Sequence, residues 1–281
     1  MITVNEIMVG SYVSASKLPD ADYVINPYVG CPHKCIYCYA EFMKRFTQHT
    51  SDEWGTFIDI KKCDKTIDYA SYPDESTILI GSVTDAYNPY EKQYEITRNI
   101  LSKMDSCNAQ IEILTKSDLV LRDIDLIKKI KNIKVGLSLN TTNDVFRKQT
   151  EPFASSISRR IEALKTLKSE GISTYLFMSP IFPELTNFKE IIEDTKKYFD
   201  YVCFENLNLR GAYLPKVIDF IRNNYPEHFN LFDEIYRSKN ISYWERLKKE
   251  ITEYCTNQGI EHRMYFYHEL IKKGAKNDGN K

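Results

Sequence analysis

The chain has 281 residues, of which 42% are hydrophobic and 27% charged, a balance that buries a sizeable core and excludes a disordered chain. Its 38 basic and 39 acidic residues exclude a global positive field that would gather nucleic acid, although a local basic groove stays open. The first ten residues hold no cationic stretch leading into an apolar run, and no later stretch has the apolar length of a bilayer span. A cytoplasmic protein without membrane contact is therefore expected.

In chain order, short β-rich apolar runs alternate with helix-length segments. Strands are predicted over residues 23–27, 77–82, 110–115, 133–139, 172–178 and 201–205. A helix near Phe46 follows the first strand and its cysteine stretch, and another spans 90–103. Ser117 and Asp118 cap a helix through Ile130, and Ser155 or Ser156 caps one ending at Gly171. Six such units, short of the eight of a closed barrel, predict an α/β fold. It is a parallel, curved, partly open TIM-like (β/α)6 barrel with right-handed crossovers and its reactive site at the strand C-terminal ends. Residues 1–210 form this barrel, and 211–281 a C-terminal helical extension covering it in the same structural unit, with an amphipathic helix over 241–254. Residues 47–73 and those from Leu214 onward are candidate covers of the mouth. Residues 263–267 read as an edge strand, and the polar tail 272–281 is expected to fray.

Seven cysteines, an odd number, suit a reducing compartment and metal or redox use better than disulfides. Cys63, Cys107, Cys203 and Cys255 are scattered singly and read as small buried apolar residues. The other three stand together in Asn26-Pro27-Tyr28-Val29-Gly30-Cys31-Pro32-His33-Lys34-Cys35-Ile36-Tyr37-Cys38-Tyr39-Ala40. Structural zinc takes four protein ligands in paired spacing, and no second pair exists here. A 4Fe-4S cluster normally takes four thiolates, so three leave one iron open to a small molecule. A zinc module and a cluster held only as a redox sensor or staple are the other readings of these residues. His33 is expected to orient the loop or face solvent. Neither GxxxxGK(S/T) nor GxGxxG occurs, which argues against an NTPase or a dinucleotide dehydrogenase.

The CxxxCxxC spacing, with Tyr37 before the last cysteine, resembles the radical S-adenosylmethionine (SAM) superfamily. The resemblance implies a 4Fe-4S cluster on Cys31, Cys35 and Cys38, SAM on the open iron, and an electron donor such as flavodoxin or ferredoxin. It also implies a 5'-deoxyadenosyl radical that abstracts hydrogen from a substrate. Further likeness, across roughly 22–210, is to the spore photoproduct lyase-like branch. It is carried by Gly81-Ser82-Val83-Thr84-Asp85-Ala86-Tyr87-Asn88-Pro89-Tyr90-Glu91, by Thr115-Lys116-Ser117, by Ser138-Leu139-Asn140-Thr141, and by Glu151-Pro152 with Arg159, Arg160 and Ile161.

By that resemblance Ser82, Thr84 and Asp85 accept from the SAM ammonium, Lys116 meets its carboxylate, Ser138 and Asn140 bond the ribose, and Tyr37 lies by the adenine. Glu151 and Arg159 belong to the next element. Each has a plainer reading: a core tyrosine, a capped turn, a solvated lysine, an ion pair that fixes a helix. Tyr87, Tyr90, Glu205, Asn206, Asn208 and Arg210 are candidate substrate contacts. Where the lyase-type proteins carry a hydrogen-returning cysteine, this chain has Val83, which has no S–H bond to give. Over its whole length the chain is similar to paired radical SAM proteins of mobile elements, through Met8-Val9-Gly10-Ser11-Tyr12, Asp22-Tyr23-Val24-Ile25-Asn26-Pro27 and Glu53-Trp54-Gly55-Thr56-Phe57. That likeness implies a second radical SAM protein as partner. The substrate class it leaves open is nucleic acid, by analogy with relatives that act on DNA, or a peptide or protein.

Overall fold

The computed structural model describes residues 2–267. The chain opens with β1 (Thr3–Met8) and β2 (Val13–Ala15), then β3 (Tyr23–Ile25) and the two-residue β4 (Tyr28–Val29). After the cysteines come a 3-10 helix, Tyr39–Phe46, and β5 (Phe57–Lys62). Alternation then sets in with β6 (Thr77–Ile80), α1 (Glu91–Tyr94), α2 (Ile96–Leu101), β7 (Gln110–Thr115), α3 (Ile124–Ile127) and β8 (Ile133–Ser138). It continues through α4 (Asp144–Thr150), α5 (Ile157–Ser169), β9 (Ser173–Ile181), α6 (Phe188–Thr195) and β10 (Tyr201–Asn206). The C-terminal part adds α7 (Tyr213–Asn224), α8 (Phe229–Tyr236), α9 (Ser242–Asn257) and β11 (His262–Met264).

The main sheet runs β11-β10-β9-β8-β7-β6-β3-β2, parallel throughout except for the antiparallel pairing of β2 with β3. Its two edges do not meet, so this is a partial TIM-like barrel, with β11 as a seventh parallel strand beyond the six predicted. The edge strand expected at 263–267 is thus present in part; His268 and the tail at 272–281 lie outside the described residues. No helix among the described residues is long and apolar enough to cross a membrane.

Period-2 alternation sorts the side chains. Ile111, Ile113, Val135, Leu137, Leu176, Met178, Val202 and Phe204 are buried on the outer face against helical stripes such as Ile157, Leu164 and Leu167 of α5. Each such burial is worth about 1.5–3 kcal/mol. The inner face holds a separate cluster of Leu114, Tyr175, Phe177, Tyr201 and Cys203. The phenol end of Tyr175 covers Gly136, where an added Cβ would come within 2.2 Å of the ring, so a side chain at 136 would displace it. Continuing that inner-face alternation past the strand ends brings Lys116 and Ser138 to the C-terminal mouth.

Some predicted elements differ in the structure: the helix expected through Ile130 is a 3-10 helix, Asp118–Asp123, followed by the short α3. The helix expected over 90–103 is broken at Glu95, which has φ 49. The buried Glu91 carboxylate accepts from the first backbone N–H groups of α2, those of Thr97 at 2.9 Å and Arg98 at 3.1 Å, and so starts a new helix. The segment 47–73 contributes β5 to a second sheet, order β1-β5-β4, that backs the cysteine loop. In the C-terminal extension, α7 meets the 3-10 helix after the cysteines through Lys216–Glu41 (3.4 Å), and α9 lies beside α6 through Lys189–Glu250 (2.7 Å) and Tyr254–Glu193 (2.7 Å).

Candidate active site at the cysteine loop

Cys31, Cys35 and Cys38 occupy the loop from β4 to the 3-10 helix, at the mouth of the barrel. Gly30 begins the loop at φ +83, and a Cβ there would lie 2.4 Å from the Phe57 carbonyl oxygen; only glycine lets the loop turn so tightly onto β5. The loop is pinned on other sides as well. Thr84 Oγ1 donates to the Gly30 carbonyl (2.7 Å), Ile36 N–H to Thr150 O (3.0 Å), and Phe153 N–H to His33 O (3.4 Å).

Burial pushes all three thiols up. Cys31 reaches about 12, with the Asp85 and Cys38 charges adding to the burial; Cys35 rises through burial and then Glu151. Cys38 also rises through burial, opposed by the Ala40 backbone. Such thiols hold their protons alone and release them to a strongly cationic centre. Three soft sulfur donors in one loop suit an iron-sulfur or zinc centre by softness, and an incomplete thiolate set suits a cluster with one open iron.

Below the loop lies a buried charge network. Asp85 Oδ1 accepts from Thr115 Oγ1 (2.6 Å) and Tyr87 N (2.9 Å), and its Oδ2 accepts from Lys116 N (2.8 Å) and faces His33 Nδ1 at 3.3 Å. His33 is buried; desolvation outweighs Asp85 and holds the imidazole neutral, so it orients the loop and does not face solvent. Tyr37 donates its hydroxyl to Glu151, and Lys116 Nζ stands 5.9 Å from the centre of the Tyr37 ring. Arg160 Nη2 lies 2.5 Å from Glu151 Oε2, with both side chains fully buried. Burial alone would raise the Glu151 carboxyl, but Arg160, Lys116 and Tyr37 outweigh it and hold it below the usual range. Lys116 is shifted up: Glu151 and Cys35 overcome its desolvation and keep it charged.

The remaining predicted residues divide. Ser138 Oγ donates to Ser179 O at 3.2 Å, and Arg160 Nη1 to Ser138 O at 3.0 Å, so Ser138 adjoins the network. Asn140 is fully buried with neither amide atom partnered within the protein. Ser82 Oγ accepts from Asn26 Nδ2 at 2.9 Å, and its carbonyl accepts from the Tyr39 hydroxyl. Arg159 lies outside this buried network. Its side chain is 60% exposed and pairs with Asp118 at 2.5 Å; the partner expected for Glu151 is the next residue, Arg160. Tyr87 is buried in the core, and Tyr90 lines a groove of about 340 Å³ with Pro32, Pro89 and Phe153 on the outside of the loop. Glu205 accepts from Ser179 Oγ, Asn206 Oδ1 from Tyr267 N (2.8 Å), and Asn208 Oδ1 from Arg210 Nε (3.0 Å). Val83 packs with Cys31, Trp54 and Phe57, while Cys107, Cys203 and Cys255 are buried and Cys63 half-buried.

A family model of the radical SAM superfamily matches residues 25–196. An uncharacterized protein of Methanocaldococcus jannaschii is 41% identical over 226 residues, 78% of this chain and 82% of that protein. An uncharacterized protein of Mycobacterium tuberculosis is 24% identical over 274 residues, covering 89% and 79%. Among solved structures, spore photoproduct lyase complexed with dinucleoside spore photoproduct aligns at a TM-score of 0.58 and 17% identity, over 80% of this chain and 67% of the lyase. Streptococcus suis SuiB aligns at 0.53 and 15% identity, over 90% of this chain and 50% of SuiB. The chain belongs to the radical SAM superfamily. It is a radical SAM enzyme with the partial-barrel fold shared with both of those structures, of a class that works with a 4Fe-4S cluster and SAM.

Proposed function

We propose that Cys31, Cys35 and Cys38 hold the 4Fe-4S cluster, that SAM lies over the strand ends at Ser82, Lys116, Ser138 and Asn140, and that the substrate is nucleic acid. The observation that carries the cofactor assignment is the pairing of a three-thiol loop with unmet polar capacity at the mouth: the charged Lys116 beside Cys35, and the buried Asn140 amide with both atoms unpartnered. A polar amide buried without partners costs roughly 1–3 kcal/mol, which a ribose or carboxylate oxygen there would recover.

When bound and reduced by a flavodoxin- or ferredoxin-type donor, the cluster and SAM supply the 5'-deoxyadenosyl radical that abstracts hydrogen from substrate. The chain's own residues hold the geometry. Lys116 Nζ meets the SAM carboxylate in a charge-assisted bond. Asp85 and Thr84 act one step back, the first fixing the Lys116 backbone and the second the start of the cysteine loop. Glu151, clamped by Arg160, places Tyr37 and keeps Lys116 charged. Val83 shields Cys31 with apolar surface and has no weak S–H bond from which to return hydrogen to a product radical.

The substrate class is supported by the rim. Tyr39, Phe42 and Phe46 are exposed on the 3-10 helix that follows Cys38, at 45%, 43% and 67%. Tyr39 and Phe42 stack, and the Arg45 guanidinium lies 5.3 Å from the Phe42 ring and 4.8 Å from the Phe46 ring. Aromatic faces interleaved with cations form a platform for unpaired bases.

Anaerobically reconstituted protein, reduced with dithionite and given SAM, is expected to release 5'-deoxyadenosine, and Cys35→Ala none. Equal yields from the two would end the enzyme assignment to these cysteines. Single-stranded oligonucleotides should raise the yield, with the increase lost in Phe46→Ala. Stimulation by a peptide or by a second radical SAM protein, and by no oligonucleotide, moves the substrate to that class.

A further inference from the structure

The segment Glu53-Trp54-Gly55-Thr56-Phe57 is a strap clamped onto the cysteine loop at three points. Glu53 pairs with Lys34 at 3.3 Å. Gly55, at φ +93, lies so close to Lys34 that an added Cβ would come within 2.8 Å of its side chain. The Phe57 carbonyl lies against Gly30, as described above. Between these clamps Trp54 is 4% exposed, packed with Cys31, Ala40 and Phe57 and against the partly buried Cys38. Its ring meets Phe57 edge-on at 5.6 Å, which fixes the indole plane. The indole Nε1–H is buried and has no acceptor within the protein, in the same cluster that packs Cys31 and Cys38.

Indole nitrogen is a donor only, and burying it without an acceptor carries a cost that a wholly apolar ring at this place would not. We propose that Trp54 is a positioning residue that donates its indole N–H to the Cys38 side of the bound cluster and thereby raises the cluster's reduction potential. The cluster takes up one electron from the external donor, and the added negative charge spreads onto the ligand sulfurs. A fixed N–H donor held beside them favours the reduced state over the oxidised one. The same ring, with Phe57 and Val83, keeps water from that flank of the loop. The inference rests on the assignment of the cluster to Cys31, Cys35 and Cys38.

The test uses the reconstituted holoprotein with 15N-indole tryptophan, reduced with dithionite, and pulsed EPR of the paramagnetic cluster. The chain has two tryptophans, and the other, Trp244, sits in α9 against Tyr243 and Phe266. A 15N coupling is expected in the wild type, retained in Trp244→Phe and lost in Trp54→Phe. In parallel, Trp54→Phe should keep its iron and sulfide content while its midpoint potential moves to a more negative value. A cluster signal without 15N coupling, or a potential unchanged in Trp54→Phe, overturns the proposal. If Trp54→Phe does not take up the cluster, the labelled wild type decides alone. A wild type without any cluster signal refutes the cluster assignment, and this inference falls with it.

Discussion

Replacing Arg160 and Arg159 in turn separates a buried pair from an exposed one in neighbouring residues. Arg160 and Glu151 are both fully buried and 2.5 Å apart, and Arg160 also donates Nε to Ser155 O (2.8 Å) and Nη1 to Ser138 O (3.0 Å). Arg160→Met leaves the carboxylate with Tyr37 and Lys116 and strips two carbonyls of a donor. Removing one partner of such a pair costs about 3–5 kcal/mol, and the carbonyls add on the order of 1 kcal/mol each, overlapping with it. We expect a loss of about 3–5 kcal/mol in urea unfolding followed by far-UV circular dichroism. Arg159→Met, whose exposed side chain meets Asp118, should cost under about 1 kcal/mol. The acid side gives a second readout. Because the folded Glu151 carboxyl is held low, its stabilisation is present above the unfolded carboxylate value of about 4.3 and is lost as pH falls through the lower folded value. Arg160→Met should flatten that acid-side loss. If the two variants differ by less than about 1 kcal/mol, the buried-pair argument is wrong.

Lys116→Ala should weaken SAM binding by roughly 10- to 100-fold, the worth of a charge-assisted bond, with cluster absorbance unchanged; equal affinity by calorimetry would remove Lys116 from the site. Gly30→Ala combines a positive φ with a 2.4 Å encounter with the Phe57 carbonyl, so a destabilisation of about 1–3 kcal/mol and reduced iron uptake are expected; normal stability would mean the loop adapts. Burial lowers His49 but its bonds to Asp52 (2.6 Å) and Asp59 (2.9 Å) outweigh that and raise it above 6.5. Its contribution is then complete below pH 6.5 and lost as pH rises through the folded value, so the stability gap between wild type and His49→Gln should shrink from pH 6 to pH 8. A gap that does not change with pH would show that the imidazole is not charged there.

What could be read from the sequence was local. Six strands announced themselves by apolar runs, and the caps at Ser117 and Ser156 were in place beside the helices they start. The break at Glu95 was not legible, because its cause is a carboxylate held by Tyr28 and Arg122, residues 63 and 31 positions from Glu91. The β1-β5-β4 sheet was hidden for the same reason. Its strands meet across the whole cysteine stretch; β4 has only two residues, and β1, TVNEIM, lacks a sustained apolar run.

The site divides along the same line. Cysteine spacing is a short-range pattern, whereas the shell around it is assembled from distant segments, and only one part of that shell left a trace in the sequence. Ile157, Arg160, Leu164 and Leu167 follow a helical stripe, so an arginine on the apolar face of α5 had to find a buried anion, while Arg159 stands off that face. Asp85 shows how the partners around a residue bear on its role. A carboxylate offers about four accepting positions, and here Tyr87 N, Thr115 Oγ1, Lys116 N and His33 Nδ1 face them all. An ammonium ligand would have to displace bonds that set the Lys116 backbone and the His33 ring. On the proposed placement of SAM, contact with its ammonium at this strand end falls to Ser82, and Asp85 holds the Lys116 backbone and the His33 ring.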